Sequence, residues 1–143
     1  MALRSLDLMI GDWLYYKGQF NAFPFKVESI TKKKVGYHAE PNEHRMYYLR
    51  LSECKPIPLT EEILEKNGFK PYTPENHLEI VYACQDVSKA VADELYALWP
   101  YPDSSFYLLL RVDGKDMVRI DVHYIHQLQH ALRLCEIEKE IIL

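Results

Sequence analysis

The amino-terminal part of the chain alternates short apolar-patterned segments with polar turns, and this pattern limits the folds open to it. In Trp13–Lys17, successive side chains would point to opposite faces of a strand, with Leu14 and Tyr16 on the same face. Similar patterns predict further strands at residues 25–31, 35–39 and 46–51, and a short one near residues 53–58. Four or five short strands with frequent turns predict a small barrel or a strongly bent sheet, and we expect an SH3-like barrel.

A short helix with clear boundaries is predicted at residues 61–67. Thr60 is suited to be its N-cap, because a threonine hydroxyl accepts a hydrogen bond from a free backbone N–H of the first turn. Gly68 is suited to end the helix, because glycine adopts the left-handed conformation at low cost. A helix this short is not stable alone, so it must pack against the rest of the protein.

The carboxy-terminal part mixes predicted strands and helices. In chain order, the predictions are a loop at 71–76, a strand at 78–83, a helix at 86–99, a hairpin of 106–112 with 117–122, a helix at 124–135 and a tail at 137–143. The helix at 86–99 rests on apolar residues at helical spacing, and the hairpin rests on the turn sequence Asp113-Gly114. We therefore predict an α+β protein. A barrel-like lobe at residues 1–57 precedes a lobe of three helices and an antiparallel sheet at 58–143, and the two share one core.

Charge is divided unevenly along the chain. Residues 1–57 contain nine Lys and Arg against six Asp and Glu, a net charge of +3. Residues 58–143 contain eight against fifteen, a net charge of −7, and the whole chain carries −4. The whole chain is therefore not a general nucleic-acid binder, and any anion would bind the amino-terminal part.

The cysteines and the hydropathy pattern predict a cytoplasmic protein. Cys54, Cys84 and Cys135 are odd in number and widely spaced, which is typical of buried thiols in a reducing compartment. No segment reaches about 18 continuous apolar residues, so no membrane span is predicted. The first residues lack the pattern of a signal peptide.

Basic and aromatic residues are interleaved in the amino-terminal part. Aromatic rings beside basic grooves are the usual platform for single-stranded nucleic acid. The candidate binding residues are Trp13, Tyr15, Lys32, Lys33, Lys34, Tyr37, His126 and Gln127. The alternative is a small sheet with a tyrosine-rich core and charged turns, since a run of lysines is most often a solvated surface that protects a sheet edge. A protein partner is a further candidate for the same surface.

His123, His126 and His130 form the sharpest candidate for catalysis. At helical spacing they lie within an arc of about 60°, and three imidazoles on one face can bind zinc and leave a fourth position for water. No His-Glu-x-x-His motif accompanies them. The alternative is a polar helix face, on which His126 and Gln127 bond to the backbone of a neighbouring segment.

Other catalytic devices find little support in the sequence. His38, Glu40, Glu43 and His44 suit a metal ion, but polar connections are generally rich in such residues. There is no Gly-x-Ser-x-Gly motif, and the five glycines leave little scope for a phosphate-cradling loop. We therefore expect no enzyme activity and no cofactor.

Four motifs carry a resemblance to a known family. They are Ile10-Gly-Asp-Trp13, Pro56-Ile-Pro-Leu-Thr60, Asn67-Gly-Phe69 and Tyr124-Ile-His-Gln-Leu-Gln129. With them the chain resembles a family of small bacterial proteins of unknown function, accessory proteins of phages, prophages and mobile elements in the Bacteroides group. The resemblance covers most of the chain in order, and residues 70–120 match only loosely. It implies an intracellular setting and a mobile-element origin, and it brings no catalytic residues.

The resulting functional prediction is a non-catalytic mobile-element accessory protein that binds a protein or a nucleic acid. The alternative from another class is a metal-dependent enzyme that uses His123, His126 and His130. The sequence leaves the partner and the oligomeric state open.

Overall fold

The computed structural model describes residues 2–72, 81–84, 95–101, 105–112 and 115–143. The chain divides into two compact units, the first made of residues 1–57 with 124–126 and the second of residues 58–123 with 127–143. Every strand pairing among the described residues is antiparallel, and two α-helices accompany the sheets. The predicted α+β class is confirmed.

The first unit is built from two small sheets. The first sheet has the order β2-β1-β6, with β1 at Trp13–Lys17, β2 at Ala22–Lys26 and β6 at Cys54–Pro56. The second has the order β3-β4-β5, with β3 at Ser29–Ile30, β4 at Lys34–Tyr37 and β5 at Tyr47–Arg50. Short 3₁₀ turns at Ser5–Asp7 and Leu51–Glu53 complete it. These strands form two separate sheets and not a closed barrel.

The register of β1 separates an inner from an outer face. Leu14 lies opposite Phe25, and both are buried in one apolar cluster that includes residues of both sheets. The predicted alternation in this strand is confirmed, because Trp13 and Tyr15 lie on the opposite, outer face. The core is therefore enclosed between the inner faces, and the outer faces are left for other contacts.

The single strand predicted at residues 25–31 is wrong, because the chain passes there from one sheet to the other. Val27 leaves the ladder of β2: its N–H donates to Asp12 O at 2.8 Å, and its carbonyl accepts from Gly11 N at 2.7 Å. Ser29 and Ile30 then pair with β4. The hydrogen bonds to a distant turn decide where this strand ends.

The second unit contains a five-stranded antiparallel sheet with the order β11-β10-β9-β8-β7. Its strands are β7 (Phe69–Tyr72), β8 (Val81–Cys84), β9 (Leu95–Pro100), β10 (Phe106–Val112) and β11 (Lys115–Val122). One face buries Tyr82, Leu98, Phe106, Leu108 and Val122. The predicted hairpin is confirmed as β10 and β11, and its turn sequence Asp113-Gly114 lies outside the described residues.

Two predictions in this unit are wrong. Residues 95–99 were expected to be helical, but they belong to β9, which pairs with both β8 and β10. The fully buried Leu98 lies opposite Leu108 on one side and Tyr82 on the other, so pairing with two strands overrides the helical spacing. The expected loop at residue 71 is instead part of β7, an edge strand, where proline is tolerated. Residues 73–80 and 85–94 lie outside the described residues.

The described residues contain two α-helices, α1 at Glu61–Lys66 and α2 at Ile125–Leu134. Thr60 Oγ1 accepts a hydrogen bond from Ile63 N at 3.3 Å, and Gly68 has a φ of 81°, so both predicted boundaries of α1 are confirmed. No helix among the described residues is both long and apolar enough to cross a membrane. A third helix, predicted for the second lobe, is not found in the part of the chain that the structure describes.

The side chain of Asn67 fastens the carboxy-terminal tail to α1. Its amide Nδ2 donates to Ile63 O at 2.8 Å and to Ile142 O at 2.7 Å, and its Oδ1 accepts from Ile142 N at 2.8 Å. The backbone N–H and C=O of Ile142 are therefore hydrogen-bonded to a side chain instead of to a neighbouring strand.

Replacing Thr60 by alanine is expected to lower the free energy of unfolding by about 0.5–2 kcal/mol, because one N–H of the first helical turn loses its acceptor. The denaturation midpoint in urea measures this loss. Ser52→Ala is the control, because this exposed hydroxyl caps no α-helix. An unchanged midpoint for Thr60→Ala would contradict the capping role.

Candidate functional site

A pocket on the first unit gathers five basic side chains. The basic residues that line it are Lys32, Lys33, Lys34, Arg50 and Lys55. The rest of the lining is Ala2, Leu3, Leu51, Ser52 and Cys54, so the pocket is largely apolar below its basic rim. Its volume is about 580 Å³, within the range of small-molecule sites. Among the residues that the structure describes, no Asp or Glu belongs to the lining, so the pocket favours anions.

Local hydrogen bonds hold the lysine turn at this pocket. Thr31 N donates to Lys34 O at 2.9 Å, and Lys34 N donates to Thr31 Oγ1 at 3.1 Å, which closes the turn between β3 and β4. Leu51 N donates to Lys33 O at 2.8 Å. This bond fixes the turn against the 3₁₀ turn that leads into β6, where Lys55 lies.

The five cations are exposed, and none of them makes an ion pair among the residues that the structure describes. Lys34 and Arg50 lie directly opposite each other on β4 and β5. Like charges in such a cross-strand pair are destabilising. A bound anion would relieve this repulsion, so the pocket gains from binding one.

Aromatic side chains flank the pocket on the outer faces of both sheets. Tyr48 precedes Arg50 by two residues in β5 and shares its face, and the ring is 57% exposed. In the other sheet, Tyr15 lies opposite Lys55 and Trp13 lies opposite Lys26. Both Trp13 and Tyr15 are half-buried. Lys55 thus belongs both to the pocket and to the face that carries Tyr15.

Tyr37 does not join this surface, contrary to its place among the predicted binding residues. Its ring packs on the inner side of β4, with centroids 5.4 Å from Phe25 and 5.7 Å from Tyr47. Burial raises the pKa of Tyr37, with smaller contributions from Tyr47, Tyr16 and Glu43. Tyr37 is therefore a packing residue of the first unit.

The histidines predicted as one stripe differ strongly in exposure. His126 is 2% exposed and its ring stacks on Tyr124 with centroids 6.0 Å apart, whereas His123 is exposed and His130 half-buried. The three histidines therefore do not form one exposed polar face of the helix, because the side of α2 that carries His126 is buried. No three His, Cys, Asp or Glu side chains among the described residues are grouped to hold a metal ion.

Gln127 bonds to the backbone, and it does so within its own segment. Its Oε1 accepts from His123 N at 2.8 Å, which satisfies an N–H just before α2. Neither Gln127 nor His126 lines the basic pocket. Both residues were proposed for binding from the sequence together with the lysines, but they are not among the described residues that line this pocket.

The polar connection before β5 uses its titratable residues to stabilise structure. His38 Nδ1 lies 3.2 Å from Glu43 O, and the phenolic O–H of Tyr47 donates to Glu43 Oε1 at 3.0 Å. His38 Nε2 lies 3.7 Å from Glu28 Oε2. These contacts tie the connection to the sheet and give His38 and Glu43 a structural role.

Cys54, at the floor of the pocket, is not an activated nucleophile. Burial, with a smaller contribution from the charge of Glu53, raises the pKa of its thiol to about 12. Its Sγ lies 3.4 Å from Arg50 O, to which it donates. The thiol therefore stays protonated at neutral pH, and the thiolate is the form that reacts.

The candidate binding residues chosen from the sequence did not include Lys55, Arg50 or Tyr48. Lys55 stands alone in the sequence, and only the pairing of β6 with β1 brings it beside the others. Tyr48 precedes Arg50 by two residues, and this spacing is the signal that could have placed both on one face.

No protein-family model matches the chain, and searches of curated proteins and of solved structures gave no match. The charge and geometry of the first unit are therefore the guides to function.

Proposed function

We propose that this protein is a non-catalytic accessory protein, of mobile-element origin as its motifs suggest, whose first unit binds nucleic acid through phosphates held at the basic pocket. The observation that carries the proposal is the set of five exposed basic side chains, without ion pairs among the described residues, around one pocket. Neutralisation of phosphates by Lys and Arg supplies most of the affinity of such proteins.

The aromatic surroundings favour a nucleic acid over an acidic protein. Tyr48 shares a face with Arg50, and Tyr15 shares one with Lys55, so rings lie on both sides of the basic pocket. Bases stack on rings of this kind, whereas the carboxylates of an acidic peptide gain little from them. The uneven charge favours the first unit as the place where an anionic partner binds, since residues 1–57 carry +3 and residues 58–143 carry −7.

For the first unit we propose an open, SH3-like arrangement in which the two three-stranded sheets pack on one core without closing into a barrel. Its support is the single apolar cluster that both sheets share, with Leu14, Phe25 and Val35 among its buried members. The OB-fold, another small and partly open barrel, binds oligonucleotides through a strand face and the adjoining loops.

Salt dependence of oligonucleotide binding tests the proposed function. Fluorescence anisotropy of labelled oligonucleotides over a range of salt concentrations gives the slope of log K against log salt. The double variant Lys32→Ala/Lys33→Ala is expected to weaken binding to all sequences and to lower the slope by about 1.4, because two phosphate contacts are lost. Both residues lie in the turn outside the strands, so the fold should remain intact.

The matched control is Lys66→Ala/Lys70→Ala, which removes the same charge from exposed positions of the second unit. Equal weakening by both double variants would mean that net charge and not the pocket governs binding, and would overturn the proposal. Absence of oligonucleotide binding would also overturn it. Binding of polyglutamate with the same lysine dependence and equal affinity would replace the nucleic acid by an acidic protein partner.

A further inference from the structure

The outer face of the second sheet carries one aromatic residue together with two basic residues of the pocket. Lys34 pairs with Arg50 and Gly36 pairs with Tyr48, so these four residues share one face of β4 and β5. Val35 and Leu49 point the other way, and Val35 is fully buried in the core. The phase of both strands therefore fixes Tyr48 on the same side as two of the pocket's cations.

Tyr48 is available for a ligand. The residue is 57% exposed. Among the described residues its side chain makes no hydrogen bond, ring contact or ion pair. Its neighbour in β5, Tyr47, contrasts with it, since that ring packs on Tyr37 and its hydroxyl bonds to Glu43. A large exposed ring without partners beside a cluster of cations is typical of a recognition surface.

The spacing between ring and cations matches one nucleotide. Tyr48 and Arg50 are two residues apart in a strand, which separates their Cα atoms by about 6.6–6.8 Å. Lys34, opposite Arg50, lies at a cross-strand Cβ separation of about 4.5–5.5 Å. A phosphate held between Lys34 and Arg50 would thus leave its base within reach of the Tyr48 ring.

We infer that the first unit binds single-stranded nucleic acid, with one unpaired base stacked on Tyr48 and the adjoining phosphate held by Lys34 and Arg50. This inference rests on the proposed function and narrows it, because only an unpaired base can offer its face to a ring. In a duplex the bases are paired and stacked on one another, so Tyr48 has no face to contact.

Tyr48 is a better stacking residue than the other outward aromatic residues. Trp13 is half-buried and already has contacts within the protein, so its ring is less accessible. Tyr15 is half-buried beside Lys55. Phe20 is 88% exposed, but it lies in the turn between β1 and β2 and has no strand position opposite or beside the pocket's basic residues. Phe20 therefore provides a control for the loss of an exposed ring.

Three variants of the full chain test the inference: Tyr48→Ala, Tyr48→Phe and Phe20→Ala. The probes are labelled oligothymidylate, oligouridylate and a blunt DNA duplex, and anisotropy gives each affinity at fixed salt. Tyr48→Ala is expected to weaken binding of the single strands by about 5- to 150-fold, the loss of one stacked base. Tyr48→Phe keeps the ring and is expected to keep the affinity, and Phe20→Ala is expected to leave it unchanged.

Affinity for the duplex probe distinguishes failure of this inference from failure of the proposed function. Duplex affinity, which depends on phosphate contacts alone, is expected to be the same with and without the Tyr48 ring. If the lysine variants weaken single-strand binding but Tyr48→Ala does not, the inference fails and the proposed function stands. If Tyr48→Ala weakens duplex and single strand equally, the ring is not a base platform and the inference fails. If none of the probes binds, both fail. Circular dichroism of each variant checks that the fold is retained.

Discussion

Replacing Phe69 by alanine is expected to lower the free energy of unfolding by about 3–5 kcal/mol, the range for deletion of a fully buried aromatic side chain. Phe69 is 0% exposed at the start of β7, and the Lys139 ammonium lies 5.5 Å from its ring centroid. Truncation would leave a cavity below an edge strand and remove this cation–π contact. Urea denaturation followed by circular dichroism measures the loss.

Phe20→Ala is the matched control for this prediction. The same chemical change is made at a side chain that is 88% exposed, where no packing is lost. Its effect on the free energy of unfolding should stay within about 0.5 kcal/mol. Similar losses in both variants would mean that phenylalanine content and not burial governs stability. A loss below about 1 kcal/mol for Phe69→Ala would contradict its place in the core.

Much of the local structure followed from short-range rules. Thr60 marks the start of α1 and Gly68 its end, as predicted, because capping depends on residues within one turn of the helix end. Strand β1 was also predicted correctly, since the alternation of inward and outward side chains along five residues is visible without knowledge of the partner strands. Features whose physical cause lies within a few residues are those that a sequence alone predicts well.

The predicted strand boundaries were wrong where hydrogen bonds to residues far away in the sequence determine them. Nothing near Val27 indicates that its N–H will bond to the carbonyl of Asp12 and end β2. Likewise, the apolar spacing around Leu98 fits a helix until β8 and β10 are known to pair on both sides of it. In both places hydrogen bonds between residues far apart in sequence outweigh the local pattern.

The candidate site was predicted in part for the same reason. Lys32, Lys33 and Lys34 are adjacent in sequence, so their concentration of charge was visible directly. Their companion Lys55 comes from another strand, and its nearness depends on the pairing of β6 with β1. The strand phase also decides that Tyr37 points inward while Tyr48 points outward, and the composition of the segment cannot separate them.

In α2, Leu128→Ala is expected to lower the free energy of unfolding by about 2–5 kcal/mol. Leu128 is 0% exposed, as is Ile125, and Leu132 is 1% exposed, so these residues form a buried apolar face of the helix. Removing the isobutyl group loses its transfer free energy and leaves a cavity that the neighbouring side chains fill only in part. The shift of the urea midpoint at constant slope measures the cost.

His130→Ala on the same helix is the comparison that tests which face of α2 packs against the core. His130 is half-buried, so its truncation should cost less than about 1 kcal/mol. The opposite order of costs would mean that the histidines and not the leucines face the core. The structure already turns one imidazole inward, since His126 is 2% exposed whereas His123 is exposed. A larger loss at Leu128 than at His130 would establish that the leucines of α2 face the core and that His130 contributes little to packing.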